Sequence, residues 1–235
     1  AIHMIPSISI MNNDIYVLGN EFIDHRTTPK IWKNGVETNL LNTPSNTYSR
    51  ASKILTDNNS RYIVGVMGSE NTHRNRATLW KNEVPFFLTD GTNNAEATSV
   101  TVNDNDVYVS GYEYKTLNGH SDAKYWKNGV PVNLTDGKFE SAANSIAVID
   151  DKIYVGGFEK NFNGGLVAKY WINGVSFNIT NGLYSAWVDY TIESEKHAYS
   201  IGYTTNHTGG QAVLWIDKTT KFSISDGRFY SIIIK

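Results

Sequence analysis

The chain contains no cysteine, which removes disulfides, thiolate nucleophiles and cysteine-held zinc together. Charged residues are scarce, at 19% of 235, and the net charge is only −2. With no basic stripe to neutralise a phosphate backbone, nucleic acid is not expected as a partner. No apolar run approaches the roughly 18 residues of a membrane-spanning helix, so no membrane insertion is expected. No stretch carries a helical 3.6-residue period, which excludes helical repeats. A nucleophile elbow, a His-Glu-x-x-His zinc motif, a phosphate loop and a dinucleotide fingerprint are all missing. The acidic turns at Asn103–Asp106 and Asp150–Asp151 lack the alternating ligand spacing of a calcium loop. No cofactor and no metal are therefore expected. The N-terminus lacks a charged segment followed by an apolar one. Ala1 to Met4 reads either as a cloning remnant before a natural start at Met4 or as a mature end trimmed of its leader. The second case would put the protein outside the cell or on its surface.

What the chain does have is one sentence written five times. Trp32, Trp80, Trp126, Trp171 and Trp215 follow one another at 48, 46, 45 and 44 residues. A Tyr-x-x-Gly mark keeps the same time at Tyr16–Gly19, Tyr62–Gly65, Tyr108–Gly111, Tyr154–Gly157 and Tyr199–Gly202. A period of about 46 residues means a solenoid, a propeller or an array, whose units cannot bury a core alone.

The third copy shows what each unit is. Ser99 to Val102 alternates as a strand, and Val107 to Glu113 is a second, rich in β-branched and aromatic residues. Lys124-Tyr125-Trp126 is a third, and Asn128-Gly129 marks a tight hairpin into a fourth, Val130 to Leu134. Four antiparallel strands per repeat around an axis make a β-propeller blade. The chain is thus expected to be an all-β, five-bladed propeller forming one domain over 1–235. Its repeats run roughly over 5–46, 47–93, 94–139, 140–184 and 185–228. The inner-strand pattern nevertheless occurs a sixth time, at Ser231-Ile232-Ile233-Ile234 within 229–235. That surplus strand displaces the N-terminal one, packs as a stub, belongs to a longer array or swaps between molecules. Ring closure within one chain, and so a monomer, is the reading adopted, with a strand-swapped oligomer as the alternative.

In size and repeat number the chain resembles the five-bladed lectin propellers of the tachylectin type, without their Gly-Gly-Trp and Asp-Asn-Trp pattern. Ile153-Tyr154-Val155-Gly156-Gly157 is similar to the double-glycine strand of kelch repeats. The Trp-Lys-Asn-Gly-Val and Leu-Thr-Asp-Gly repeat looks like one found in bacterial propeller proteins that carry no assigned activity. These resemblances imply fold and transfer no functional residue.

Loops after the second and fourth strands share one rim, and binding residues concentrate on such loops. His25, His73, His120 and His207 recur there, with Asn163 in the fourth copy. Each imidazole would offer a donor and an acceptor to a repeated ligand. Glu21, Glu113 and Glu159 follow their Tyr-x-x-Gly marks by two residues and would accept sugar hydroxyls or cap backbone amides. Phe139, Tyr184 and Phe229 sit two residues beyond a turn glycine, where they would stack on sugar rings or seal the core. Trp187, outside the repeat, is a candidate anchor. Because equivalent glutamates show no division of acid and base roles, this pattern predicts a non-catalytic binding propeller with repeated shallow sites for glycans or a surface polymer. A protein–protein scaffold, a truncated or assembled propeller without a selected ligand, and a glycoside hydrolase using Glu113 or Glu159 stand as alternatives.

Overall fold

The computed structural model describes residues 2–23, 26–38, 47–69, 74–116, 119–194, 197–206, 209–217 and 219–229. Among them all regular structure is β, in five sheets of four antiparallel strands and no helix. The first sheet comprises β1 (Ile2–Met11), β2 (Asp14–Ile23), β3 (Arg26–Lys33) and β4 (Val36–Thr38). The second holds β5 (Thr47–Asp57), β6 (Ser60–Ser69), β7 (Arg74–Lys81) and β8 (Val84–Phe87). The third holds β9 (Ala95–Asn103), β10 (Asp106–Tyr114), β11 (Ser121–Lys127) and β12 (Val130–Asn133). In the fourth are β13 (Ser141–Ile149), β14 (Lys152–Lys160), β15 (Leu166–Ile172) and β16 (Val175–Asn178). The fifth has β17 (Ala186–Ser194), β18 (His197–Asn206), β19 (Gly209–Ile216) and β20 (Thr219–Ser225). Each sheet pairs its strands in chain order, the meander of a propeller blade. The surplus inner strand expected at Ser231–Ile234 lies outside the described residues.

The two sequence marks keep time because they meet across β-ladders. Tyr16 stands opposite Lys33, Tyr62 opposite Lys81 and Tyr108 opposite Lys127, each lysine directly following its Trp. The ammonium groups lie 5.8, 5.3 and 5.2 Å from those rings, within cation–π range. The hairpins between third and fourth strands need two residues with positive φ. Asn34-Gly35, Asn128-Gly129 and Asn173-Gly174 supply them. The asparagine also accepts a hydrogen bond from the backbone of the second strand, as Asn128 does from Val107 at 2.9 Å. In the second copy Glu83 replaces the glycine at φ 66°, held there by Arg61 through two bonds of 2.8 Å.

The glycine of Tyr-x-x-Gly is required by space. A Cβ on Gly65, Gly111, Gly157 or Gly202 would stand 2.0 to 2.1 Å from a carbonyl oxygen of the neighbouring inner strand. Opposite each glycine the inner strand carries one extra residue, a β-bulge at Ser52, Thr98, Asn144 and Asp189.

Core layers lie between blades. Tyr16, Leu18 and Ile31 of the first sheet pack against Ala51, Ile54, Ile63 and Trp80 of the second. The same layer recurs around Trp126 and Trp171. The indole N–H groups of Trp80, Trp126 and Trp171 have no partner among the described residues, so these rings act by packing, and truncating one would cost about 3–5 kcal/mol. Inner strands touch in sequence, β1 with β5, β5 with β9, β9 with β13 and β13 with β17. Among the described residues no comparable contact returns from β17 to β1.

Candidate active site

The rim carrying the longer loops also carries the N-terminal ends of the inner strands, and there the fivefold repetition breaks. Two residues before each bulge stands an equivalent position, occupied by Arg50, Glu96, Ala142 and Trp187. One copy offers a cation, one a carboxylate, one a methyl and one an indole. Bulges re-aim side chains and recur beside active sites. Two bulge residues, Thr98 and Asn144, also stitch neighbouring blades, as does Asn20 of β2. Asn20 Nδ2 donates to the Ala51 carbonyl at 2.8 Å, Thr98 to Ala143 at 2.6 Å and Asn144 to Val188 at 2.7 Å.

Glu96 is the best-served group at this mouth. Arg50 Nη2 donates to its Oε2 at 2.7 Å, across the boundary between blades two and three. The hydroxyl of Tyr112, its ladder partner, donates to the same oxygen at 2.9 Å. Ser52 reaches the other oxygen at 3.4 Å. The Glu96 side chain is 15% exposed, enough for one edge to meet a ligand. Burial, and then the Glu96 carboxylate, push the Tyr112 hydroxyl well above its ordinary pKa, so it is a neutral donor at any physiological pH.

The second carboxyl of the mouth is Asp189, the bulge residue of blade five. It accepts a bond from Trp187 Nε1 at 2.9 Å. Asp189, Trp187, Tyr203, Arg228 and Phe229 line a small cavity of about 50 Å³. One side of Asp189 is open to solvent, yet the aromatic walls strip enough water to raise its pKa above the usual value. Trp187 and Tyr203 lie with ring centroids 5.1 Å apart, and the Arg228 guanidinium covers Tyr203 at 5.5 Å.

Below the mouth all five inner strands line a central cavity of about 400 Å³, including Ser9, Lys53, Thr101, Ala147 and Tyr190. The Lys53 ammonium donates to Ser99 Oγ at 3.1 Å and sits 4.5 Å over the Tyr190 ring. No carboxylate pairs with it among the described residues, and burial lowers its pKa to about 8.

Of the residues singled out in the sequence, Trp187 and Phe229 stand at this mouth and the others have different surroundings. His25, His73 and His207 lie outside the described residues. His120 and Asn163 are exposed, in the connections after β10 and β14. Glu21, Glu113 and Glu159 each pair with a lysine of the adjacent strand, at 3.4 Å to Lys30, 2.5 Å to Lys124 and 2.5 Å to Lys169. These are repeated ion pairs within blades. Phe139 shares a cleft of about 520 Å³ between blades three and four with Glu159 and Lys169. Tyr184 lines a comparable one of about 490 Å³ between blades four and five. Phe229 and Trp187 do come together, at the Asp189 cavity. Sequence reasoning did not single out Arg50, Glu96, Tyr112 or Asp189: it started the inner strands about four residues late, which left Arg50 and Glu96 in loops, and it read Tyr112 and Asp189 only as strand residues. The signal was available in the aligned copies. Arg50-Ala51-Ser52-Lys53, Glu96-Ala97-Thr98-Ser99, Ala142-Ala143-Asn144-Ser145 and Trp187-Val188-Asp189-Tyr190 keep a small core residue in second place and vary the first and third.

No protein-family model and no curated protein matches the chain. Solved structures do match in shape. A thermostable family-43 glycoside hydrolase superposes with a TM-score of 0.57 at 12% identity, over 100% of this chain and 96% of that one. The sialidase of Trypanosoma rangeli matches at 0.52 in complex with sialic acid and at 0.53 as a covalent intermediate with 2,3-difluorosialic acid. Identities there are 9% and 8%, over 92% of this chain but 44% of the sialidase. Such a likeness establishes the β-propeller fold. It also overturns the expectation of a non-catalytic binding propeller, since the structures it matches are a glycoside hydrolase and a sialidase.

Proposed function

We propose that the chain is a glycan-processing enzyme acting on glycosidic bonds at the channel mouth, with Glu96 and Asp189 as its working carboxyl groups. The observation that carries this reading is the unlike treatment of the two groups. Glu96 is tied to a guanidinium and a phenol, whereas Asp189 sits among aromatic rings with a raised pKa. Carboxyl groups whose surroundings differ in this way divide base and acid roles in sugar cleavage. Asp189 gives its proton to the leaving glycosidic oxygen. Glu96, two blades away, takes a proton from the water whose oxygen bonds to the anomeric carbon as the glycosidic C–O bond breaks, and Arg50 with Tyr112 holds it in place. Trp187 offers an apolar face against which a sugar ring stacks. The propeller folds of a glycoside hydrolase and of a sialidase support glycans as the substrate class.

A panel of aryl glycosides, together with reducing-sugar release from polysaccharides, tests the assignment. Turnover by the natural chain should fall about 10²–10⁴-fold in Glu96→Gln on every substrate, and in Asp189→Asn on the polysaccharides, whose leaving groups need a proton. Silence across the panel, or turnover that survives both substitutions, would sink it.

A further inference from the structure

Directly after the register shift of each inner strand stands an equivalent residue: Ser7, Lys53, Ser99, Ser145 and Tyr190. Three copies hold serine, and blades two and five depart from it. The two departures meet each other. The Lys53 ammonium lies 4.5 Å over the Tyr190 ring and donates to Ser99 Oγ at 3.1 Å. One side chain of blade two thus reaches blade three and blade five together, spanning the channel.

The chain itself sets this ammonium beneath the mouth. Asp189 directly precedes Tyr190, and Glu96 stands three residues before Ser99. The two carboxyl groups assigned to sugar cleavage therefore sit on the strand ends above the two residues that Lys53 touches. Lys53 is the floor under both.

Nothing among the described residues balances its charge. The lining of the central cavity includes Lys53 and neither Asp nor Glu. Burial alone acts on its pKa, with no carboxylate opposing the downward shift. An ammonium stripped of water without a counter-ion is costly, and a bound anion would offset that cost. The group has three N–H donors, of which Ser99 takes one. The hydroxyls of Thr101 and Tyr190, both on the cavity lining, make no hydrogen bond among the described residues. Burial holds the Tyr190 phenol neutral, so it too can donate. The cavity, at about 400 Å³, is of the size that small-molecule sites occupy. A single compact ammonium with hydroxyl donors suits a singly charged carboxylate. A doubly charged phosphate ester calls for more than one cation or a guanidinium fork.

We propose that Lys53 and the Tyr190 hydroxyl form a carboxylate-binding floor, and that the glycan accepted at the mouth is an acidic one whose hexuronate carboxylate points down the channel. The choice of a glycan rests on the assignment of Glu96 and Asp189 as working groups, whereas the carboxylate site stands on Lys53 and its surroundings alone.

Titration calorimetry at constant ionic strength with galacturonate, glucuronate, glucose and acetate tests it. At least one hexuronate should bind, and glucose and acetate should bind at least about tenfold more weakly. Lys53→Met keeps the length of the side chain and removes the charge. It should weaken the hexuronate at least about tenfold while a urea melt shows it folded, and Tyr190→Phe should weaken it about 2- to 10-fold. Binding that survives Lys53→Met, glucose held as tightly, or no hexuronate bound would overturn the proposal. Acetate held as tightly as the hexuronate would mark a site for free anions and remove the acidic glycan. Aryl glycoside turnover separates this from the enzymatic reading. Hydrolysis of neutral aryl glycosides with no hexuronate bound would leave that reading in place and sink the carboxylate floor. Hexuronate binding without any turnover would do the reverse.

Discussion

Arg50 of blade two and Glu96 of blade three meet at 2.7 Å over the channel mouth, and Tyr112 closes the same carboxylate from its own sheet. A cation, an anion and a phenol thus converge from three strands at a position where the repeat elsewhere places alanine or tryptophan. Tyr112→Phe removes one donor and little volume. Stability should fall by only about 1 kcal/mol in urea unfolding, while glycoside turnover should fall at least tenfold. Equal small effects on both would make Tyr112 merely a structural partner.

Asp189 has a raised pKa, so its proton persists to higher pH than on an ordinary aspartate. Activity that needs that proton is present below the raised value and is lost as pH climbs through it. The alkaline limb of the pH–rate profile should therefore disappear in Asp189→Asn. Activated aryl glycosides, whose leaving groups need no proton, should suffer less from that substitution than alkyl glycosides. The test is the ratio of kcat/KM losses for the two substrate types, and a ratio of one would remove Asp189 from the acid role.

Lys53 is a cation whose folded pKa, about 8, lies below its unfolded 10.5. The unfolded chain therefore binds more protons between those values, and stability from this group rises with pH across that window. Below pH 8 the folded state bears the full cost of a desolvated ammonium. Lys53→Met should stabilise the protein near pH 7 by roughly 2 kcal/mol, with the difference from the natural chain shrinking toward pH 10. Urea melts of both proteins at four pH values would show it, and a pH-independent difference would contradict it.

Gly111→Ala places a methyl 2.0 Å from the Glu96 carbonyl and 3.0 Å from the Trp126 ring. The inner strand must shift, so a loss of several kcal/mol is expected, together with displacement of Glu96. Gly129→Ala provides a contrast, because nothing lies within 4 Å of its Cβ and only the φ of 82° opposes it. Thermal melting should rank the two losses in that order.

Thr191 bridges blades four and five in a buried hydroxyl relay. It accepts from Ser145 at 3.0 Å and shares a 2.8 Å bond with Ser200, which in turn receives Tyr170. Thr191→Val keeps the shape but strips partners from two buried hydroxyls, at a cost of about 1–3 kcal/mol. Thr191→Ser should restore most of it. Chemical denaturation of the pair decides.

Much of the blade could be read from local chemistry. The Asn-Gly hairpins appear where positive φ demanded them, and the Trp and Tyr marks prove to be cross-ladder neighbours. The ends of the inner strands were not legible, because Glu96 and Arg50 lie before the alternating apolar run that signals a strand. Their β-pairing is dictated by the second strand and by the bulge, not by their own side chains. The candidate glutamates were legible as a repeat, but their meaning was not. Whether Glu113 faces a ligand or Lys124 depends on a lysine eleven residues away that only the ladder brings near.

By itself the sequence determined the strand count per unit, the hairpin types and the core layer that recurs from one blade to the next. Period, turn chemistry and burial are properties of neighbours along the chain, and any chain with this pattern would show them. Only the tertiary structure decided that Arg50, Glu96 and Tyr112 form one cluster, that Asp189 stands among aromatic rings, and that Ile8 is left uncovered. Each of these depends on which blade stands beside which, and on how far around the axis the last one reaches.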